Sequence, residues 1–224
     1  MKIELPDMDN MPNVDKSVVL KHITSLSFFQ TLIKYAIHWT STRKVVNLQK
    51  WLVENLDIPE DLKSKIEYIK KIKGPEKQIR EILKFTHKNL SYIGDFQNWG
   101  VAEYWQTPTE TWTKKTHMTG RKIRYGDCED GAILMYAMAR YIGIPDYHLK
   151  ITAGNVIGGG HCYLVFMDTR GMEYPVDWCY WYNSSYNWGL YYVFRNDYYN
   201  GTREWFRFNA SGCYKIKKLR GKKK

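Results

Sequence analysis

Cysteine is sparse in this sequence, and its spacing excludes more than it suggests. The four cysteines, Cys128, Cys162, Cys179 and Cys213, include no C-x-x-C pair, which argues against a zinc knuckle, a thioredoxin-type dithiol and a disulfide framework. Long apolar runs are missing as well, so no segment reads as a bilayer span. The N-terminus, Met1-Lys2-Ile3-Glu4, is polar and lacks the uninterrupted apolar stretch and small-residue cleavage site of a secretory leader. The expectation is a soluble protein that stays in the cytoplasm or is built into a larger assembly such as a virion. No internal repeat is visible. Acid is absent from one place in particular: after Tyr214, residues Lys215, Lys217, Lys218, Arg220, Lys222, Lys223 and Lys224 meet no Asp or Glu.

That tail accounts for most of the net charge. The chain carries 34 basic against 23 acidic residues, or +11; without the seven tail residues the balance is 27 against 23, or +4. The basic signal therefore belongs to a terminal segment, either a frayed solvated end or a contact for nucleic acid or an anionic surface, rather than to a face of the fold. Apolar residues at 44% and charged residues at 25% are the proportions of a folded chain rather than a disordered one. With 224 residues there is material for one well-filled core and an appendage. Nine Trp and eighteen Tyr, many of them after Trp178, serve to brace that core or to line a groove.

The first seventy or so residues read as helices. Val18, Val19, Ile23, Leu26, Phe29, Ile33 and Ile37 recur at helical spacing within 17–39, and further helices are expected over 45–56 and 61–72. Gly74 marks a boundary, and Pro75 is placed to open the next helix through Ile79, Ile82, Leu83 and Phe85. Residues 89–124 read as loops. From Gly131 to Ile144 only Arg140 interrupts the apolar character, the mark of a helix buried all round. Beyond Pro145 the texture changes to strands over 147–152, 161–167 and 172–178, with a turn at Asp168-Thr169-Arg170-Gly171. The chain is thus α+β.

Gly126-Asp127-Cys128-Glu129-Asp130 sits where the buried helix should start. Asp127 suits the N-cap and Asp130, three residues on, completes an approximate capping box. Cys128 then lies in the first turn, where unpaired N–H groups and the helix dipole favour a thiolate and offer a donor to an oxyanion. An isolated cysteine is more often a small core residue; what shifts the reading is His161 and Asp177 downstream. Gly158-Gly159-Gly160 gives backbone room before His161, which opens a strand, and Asp177 lies on the next one. The two meet on one face only if the intervening loop has an odd number of residues, such as Asp168 to Arg170, or if a bulge intervenes. A two-residue turn closing Asp168 on Gly171 would put Asp177 on the wrong face. His148 and His117 compete with His161 as the base.

Taken together, Tyr104-Trp105-Gln106-Thr107-Pro108-Thr109-Glu110, Gly126-Asp127-Cys128-Glu129-Asp130-Gly131, Tyr141-Ile142-Gly143-Ile144-Pro145, His161 and Asp177 closely resemble the bacterial transglutaminase-like cysteine proteinases. The match covers roughly Pro75 to Trp181 and is carried by the GDCED and W-x-x-P-x-E motifs. It implies a papain/transglutaminase-like fold, a buried helix bearing Cys128 packed on an antiparallel sheet. It also implies a Cys128–His161–Asp177 triad that cleaves a peptide or isopeptide bond in a protein or peptide substrate. The expected organisation is a helical extension over 1–74, a transglutaminase-like catalytic domain over 75–213 and a basic tail over 214–224.

Two further expectations follow. The Cys128 N–H would be one oxyanion donor, with Trp105 or Gln106 supplying the second. No cofactor is required for the chemistry, but the resemblance implies that Asp127 and Glu129 help bind calcium. Three carboxylates around a thiol that must ionise should raise its pKa, and a divalent cation on oxygen ligands would offset that; the same acids also serve as helix caps. The sequence departs from the family in its basic stretch Lys114, Lys115, His117, Arg121, Lys122 and Arg124, its missing leader, and its N-terminal helices and tail, which would suit a viral or other large assembly. Acyl transfer of the transglutaminase kind, and a non-catalytic assembly protein retaining the fold, are the alternatives.

Overall fold

The computed structural model describes residues 48–99, 103–113, 115–116, 123–156, 159–179 and 204–215. The helix expected within 17–39, His117 with Lys114, Arg121 and Lys122, most of the late aromatic stretch and nearly all of the basic tail lie outside the described residues. Among the described residues no helix is long and apolar enough to cross a membrane.

Three helices come first: α1 (Leu48–Glu54), α2 (Glu60–Ile66), which continues as a 3₁₀ turn through Lys71, and α3 (Pro75–Asn89). Pro75 opens α3 at a position whose N–H has no intrahelical partner, and Gly74 before it holds φ +94°, a value glycine adopts without strain. Ile79, Ile82, Leu83 and Thr86 form the buried stripe of α3. The chain's turn at Gly74 is not a gap between cores. Leu52, Leu62, Ile66 and Ile69 share one hydrophobic cluster with α3, the later helices and the sheet. Polar contacts cross the same place: Trp112 donates to Asp61 Oδ2 at 2.7 Å and Gln49 to the Ala210 carbonyl at 2.8 Å.

The stretch expected as loops holds short elements instead: β1 (Leu90–Tyr92), α4 (Asp95–Trp99), α5 (Pro108–Thr113), β2 (Lys115–Thr116) and β3 (Ile123–Gly126). β3 is central in a small sheet, parallel to β1 and antiparallel to β2. Next comes α6 (Cys128–Tyr141), buried from Glu129 to Ala139, and it packs chiefly on the main sheet and α3. That sheet has the order β6-β5-β4-β7-β8 with every pair antiparallel: β4 (Leu149–Val156), β5 (Gly159–Met167), β6 (Glu173–Val176), β7 (Glu204–Asn209) and β8 (Gly212–Lys215). Tyr147 and His148, expected in a strand, form a 3₁₀ turn that leads into β4. Pro175 is tolerated because β6 lies at the edge of the sheet formed by the described strands. The molecule is a mixed α+β fold whose buried helix lies against an antiparallel sheet.

Candidate active site

The start of α6 is fixed from three directions. Gly126 ends β3 opposite Tyr92 of β1, and Asp127 then caps the helix in a reciprocal capping box with Asp130. A Cβ on Gly126 would stand 2.7 Å from the Cβ of Asp130, so the box needs glycine there. One turn on, a Cβ on Gly131 would meet Trp178 Nε1 at 1.9 Å, which places the segment just after β6 directly on the helix. Cys128 is thereby held in the first turn, half-buried.

Its sulfur has two neighbours that matter. The thiol donates to Glu129 Oε2 at 3.1 Å, and the Cys162 N–H hydrogen-bonds to the sulfur. Cys162 follows His161 directly, so the thiol lies beside the backbone that carries the imidazole. Burial pushes the Cys128 thiol well above its ordinary value, and the Asp127 carboxylate adds to this; the two hydrogen bonds pull the other way.

His161 Nε2 is 2.5 Å from Asp177 Oδ2, and both residues are buried. The register explains how they meet. Met167 pairs with Glu173 and Leu164 with Val176, so the loop runs from Asp168 to Met172, an odd number of residues and longer than the three-residue example. Continuing that pairing sets Asp177 beside Tyr163, on the same face as His161 and one diagonal step away. Tyr163 stacks on the His161 ring at 6.0 Å, and Asp177 Oδ1 accepts the Cys179 N–H at 2.9 Å. The loop is held by Asp168, which accepts from Arg170 and from the Met172 N–H at 2.9 Å; these hydrogen bonds hold its carboxyl down at about 2 against the effect of burial. His148 lies at the far end of β5, its Nδ1 2.5 Å from the Met167 carbonyl, and so is not a base for Cys128.

The side chains of Trp105 and Gln106, the alternatives for a second oxyanion donor, make other hydrogen bonds. Gln106 is fully buried; its N–H donates to Asp130 Oδ1 at 2.8 Å and its amide to Asp130 Oδ2 and, at 3.3 Å, to the Tyr125 carbonyl. It fastens the loop before α5 to the helix and has no donor left for an oxyanion. The Trp105 indole donates to Glu103 Oε1 at 3.1 Å, and its ring packs against Trp51 and Phe208.

Around Asp127 and Glu129 the structure gathers acids that the sequence reading did not anticipate. Asp95, Glu103 and Glu129 bring ligating atoms within 4.8 Å of one another, as do Asp95, Asp127 and Asp130. Burial and the neighbouring Asp127 and Asp130 push Asp95 up to about 10. Burial lifts Asp130 to about 7 against its hydrogen bonds from Gln106 and Asp127, and lifts Asp127 and Glu129 well above the carboxylate range. Asp95 Oδ1, Asp127 Oδ1 and Glu129 Oε1 are buried with no hydrogen-bond partner among the described residues. Nothing in the spacing pointed to Asp95, the first residue of α4, or to Glu103, which lies between α4 and α5. Nothing in the spacing pointed to Tyr92 either: its ring lies 6.0 Å from Trp178, and although the residue is exposed overall, partial burial of its phenol end, with the nearby Cys128 and Asp127, raises its pKa.

Neither a family model nor a curated protein matches the chain. Solved structures do. The chain is similar to LapG of Legionella pneumophila. Calcium-bound LapG is 20% identical over 93% of this chain and 91% of that chain, with a TM-score of 0.49. EGTA-treated LapG is 20% identical over 92% and 88%, with a TM-score of 0.48. A third LapG structure is 19% identical over 92% and 90%, with a TM-score of 0.46.

Proposed function

We propose that the chain is a cysteine peptidase that works through a thioester, with Cys128 as nucleophile, His161 as base and Asp177 holding the imidazole. The observation that supports this best is the buried His161–Asp177 pair, 2.5 Å apart, with His161 on β5 directly before Cys162, whose N–H hydrogen-bonds to the Cys128 sulfur. With Nε2 facing Asp177, Nδ1 is the nitrogen that takes the thiol proton. The sulfur then attacks the scissile carbonyl carbon while the carbonyl π electrons move to oxygen. The Cys128 N–H, at a helix start where amides lack intrahelical partners, donates to that oxygen. As the tetrahedral intermediate collapses, His161 returns the proton to the departing amine and the thioester remains. A water, deprotonated by His161, attacks the thioester, and the acid leaves as Cys128 recovers its proton.

The raised thiol pKa opposes the first step, which makes the acidic cluster part of the site's chemistry. Oxygen-only ligands suit a hard cation such as calcium, and three buried carboxylate oxygens without partners among the described residues are what such an ion would satisfy. Asp127 and Glu129, joined by Asp95 and Glu103, would hold it. Its positive charge would neutralise the carboxylates beside Cys128 and ease ionisation of the thiol.

The test is a peptidyl acyloxymethyl ketone, which captures an activated cysteine by alkylation at the carbonyl-adjacent carbon. Mass spectrometry should find the label on Cys128 in the parent protein and none on any cysteine in Cys128→Ala. Equal labelling of Cys162, Cys179 and Cys213, or no labelling at all, would make the chain a non-catalytic scaffold.

A further inference from the structure

Cys179 has no part in that mechanism, yet the fold holds it against the residues that do. Its N–H is bonded to Asp177 Oδ1 at 2.9 Å, and ligating atoms of His161, Asp177 and Cys179 all lie within 4.8 Å of one another. The three come from two places that only the β5–β6 pairing brings together: His161 on β5, and Asp177 with Cys179 just beyond β6. The donor set differs in kind from the acidic cluster. One imidazole nitrogen, one carboxylate oxygen and one thiol sulfur are the ligand types of a borderline-soft ion such as zinc, whereas the cluster at Asp127 offers carboxylate oxygens. His161 and Asp177 are buried and Cys179 is half-buried, which gives the group an approach from its sulfur side.

We propose that His161, Asp177 and Cys179 form a binding site for a thiophilic divalent cation, zinc, which holds the enzyme inactive by taking up the imidazole. Binding displaces the Cys179 thiol proton to solvent, shifts the imidazole proton from Nε2 to Nδ1, forms the metal–sulfur, metal–nitrogen and metal–oxygen bonds, and breaks the His161–Asp177 hydrogen bond. Three protein ligands leave a fourth position for water. An imidazole that ligates the ion through Nε2 carries its proton on Nδ1 and has no lone pair left to accept the proton of Cys128. Calcium has little affinity for nitrogen and sulfur donors, so the two ions sort to different sites. The binding site stands on geometry alone; its inhibitory effect rests on the peptidase reading.

The experiment separates the two. Cobalt(II) replaces zinc as a coloured probe, added to the full chain with calcium in excess, and thiolate-to-cobalt charge-transfer absorption reports a sulfur ligand. One equivalent should produce the band in the parent and in Cys128→Ala, and none in Cys179→Ser or Cys179→Ala. A parent without the band, or a band that survives in both Cys179 variants, overturns the site. Zinc itself should slow labelling of Cys128 by the peptidyl ketone in the parent, and Cys179→Ser should need at least about tenfold more zinc for the same slowing, the loss expected when a metal ligand is removed. Equal zinc sensitivity in the two proteins overturns the inhibition. A parent that never labels, with its cobalt band intact, overturns the peptidase reading while the metal site stands.

Discussion

At the scale of single residues, the proposed mechanism leans most on the contact between His161 Nε2 and Asp177 Oδ2, which would leave Nδ1 as the nitrogen for the thiol. An asparagine at 177 keeps the shape but can stabilise the wrong tautomer. Asp177→Asn is therefore expected to slow labelling of Cys128 by roughly 10²- to 10⁴-fold with the fold intact, read as a labelling rate beside an unchanged circular dichroism spectrum. Gly131 makes a different demand. A methyl group there meets Trp178 Nε1 at 1.9 Å, and the indole is buried against the helix, so one of the two must shift. Gly131→Ala should cost about 1–3 kcal/mol in a urea titration, the range of overpacked sites. The capped helix start at Cys128 and the pairing that brings His161 to Asp177 were legible because each stands beside a local signal: a capping motif, a glycine run, a hairpin. Tyr92, Asp95 and Glu103 were not, since nothing near them in the chain announces that β1 ends opposite Gly126.

At the scale of elements, helix and hairpin were readable and the short strands were not. The apolar run that became α6 and the Pro75 start of α3 follow from periodicity and capping, which are local. The odd parity of the Asp168–Met172 loop also follows from a local rule, that alternate residues share a face. By contrast β1 takes its hydrogen bonds from β3, where Leu90 pairs with Arg124, and no window of sequence around either holds that information. Gln106 shows the cost of the same blindness. Expected as an oxyanion donor, it makes hydrogen bonds that brace the loop before α5 against Asp130 at the head of α6, contacts that no local window announces. Gln106→Ala strips the side-chain donor from a fully buried carboxyl and is expected to cost roughly 1–3 kcal/mol, measured by urea unfolding. Its effect on Cys128 labelling should follow the stability loss; a variant stable as the parent yet unreactive would return Gln106 to the catalytic groups.

At the scale of the whole molecule, the acidic cluster ties stability to pH and to cations. Asp130 near 7 and Asp95 near 10 bind protons in the folded state that an ordinary aspartate releases around 3.8. Groups whose folded pKa is raised contribute stability that is complete below the unfolded value and lost as pH climbs through the folded one. With chelator present, melting temperature should therefore fall from pH 5 to pH 9, about the span between those values, and calcium should recover part of the loss. A flat or rising profile would argue against the cluster. Asp168, held near 2, has the opposite sign and acts only at pH values below this window. The central claim, that an imidazole on β5 activates a thiol at the head of α6, is tested most directly by iodoacetamide. At neutral pH with calcium present, Cys128 should alkylate faster than Cys162, Cys179 or Cys213, and His161→Ala should slow it by about 10²-fold or more. Cys128 reacting at the same rate in His161→Ala as in the parent would contradict the account.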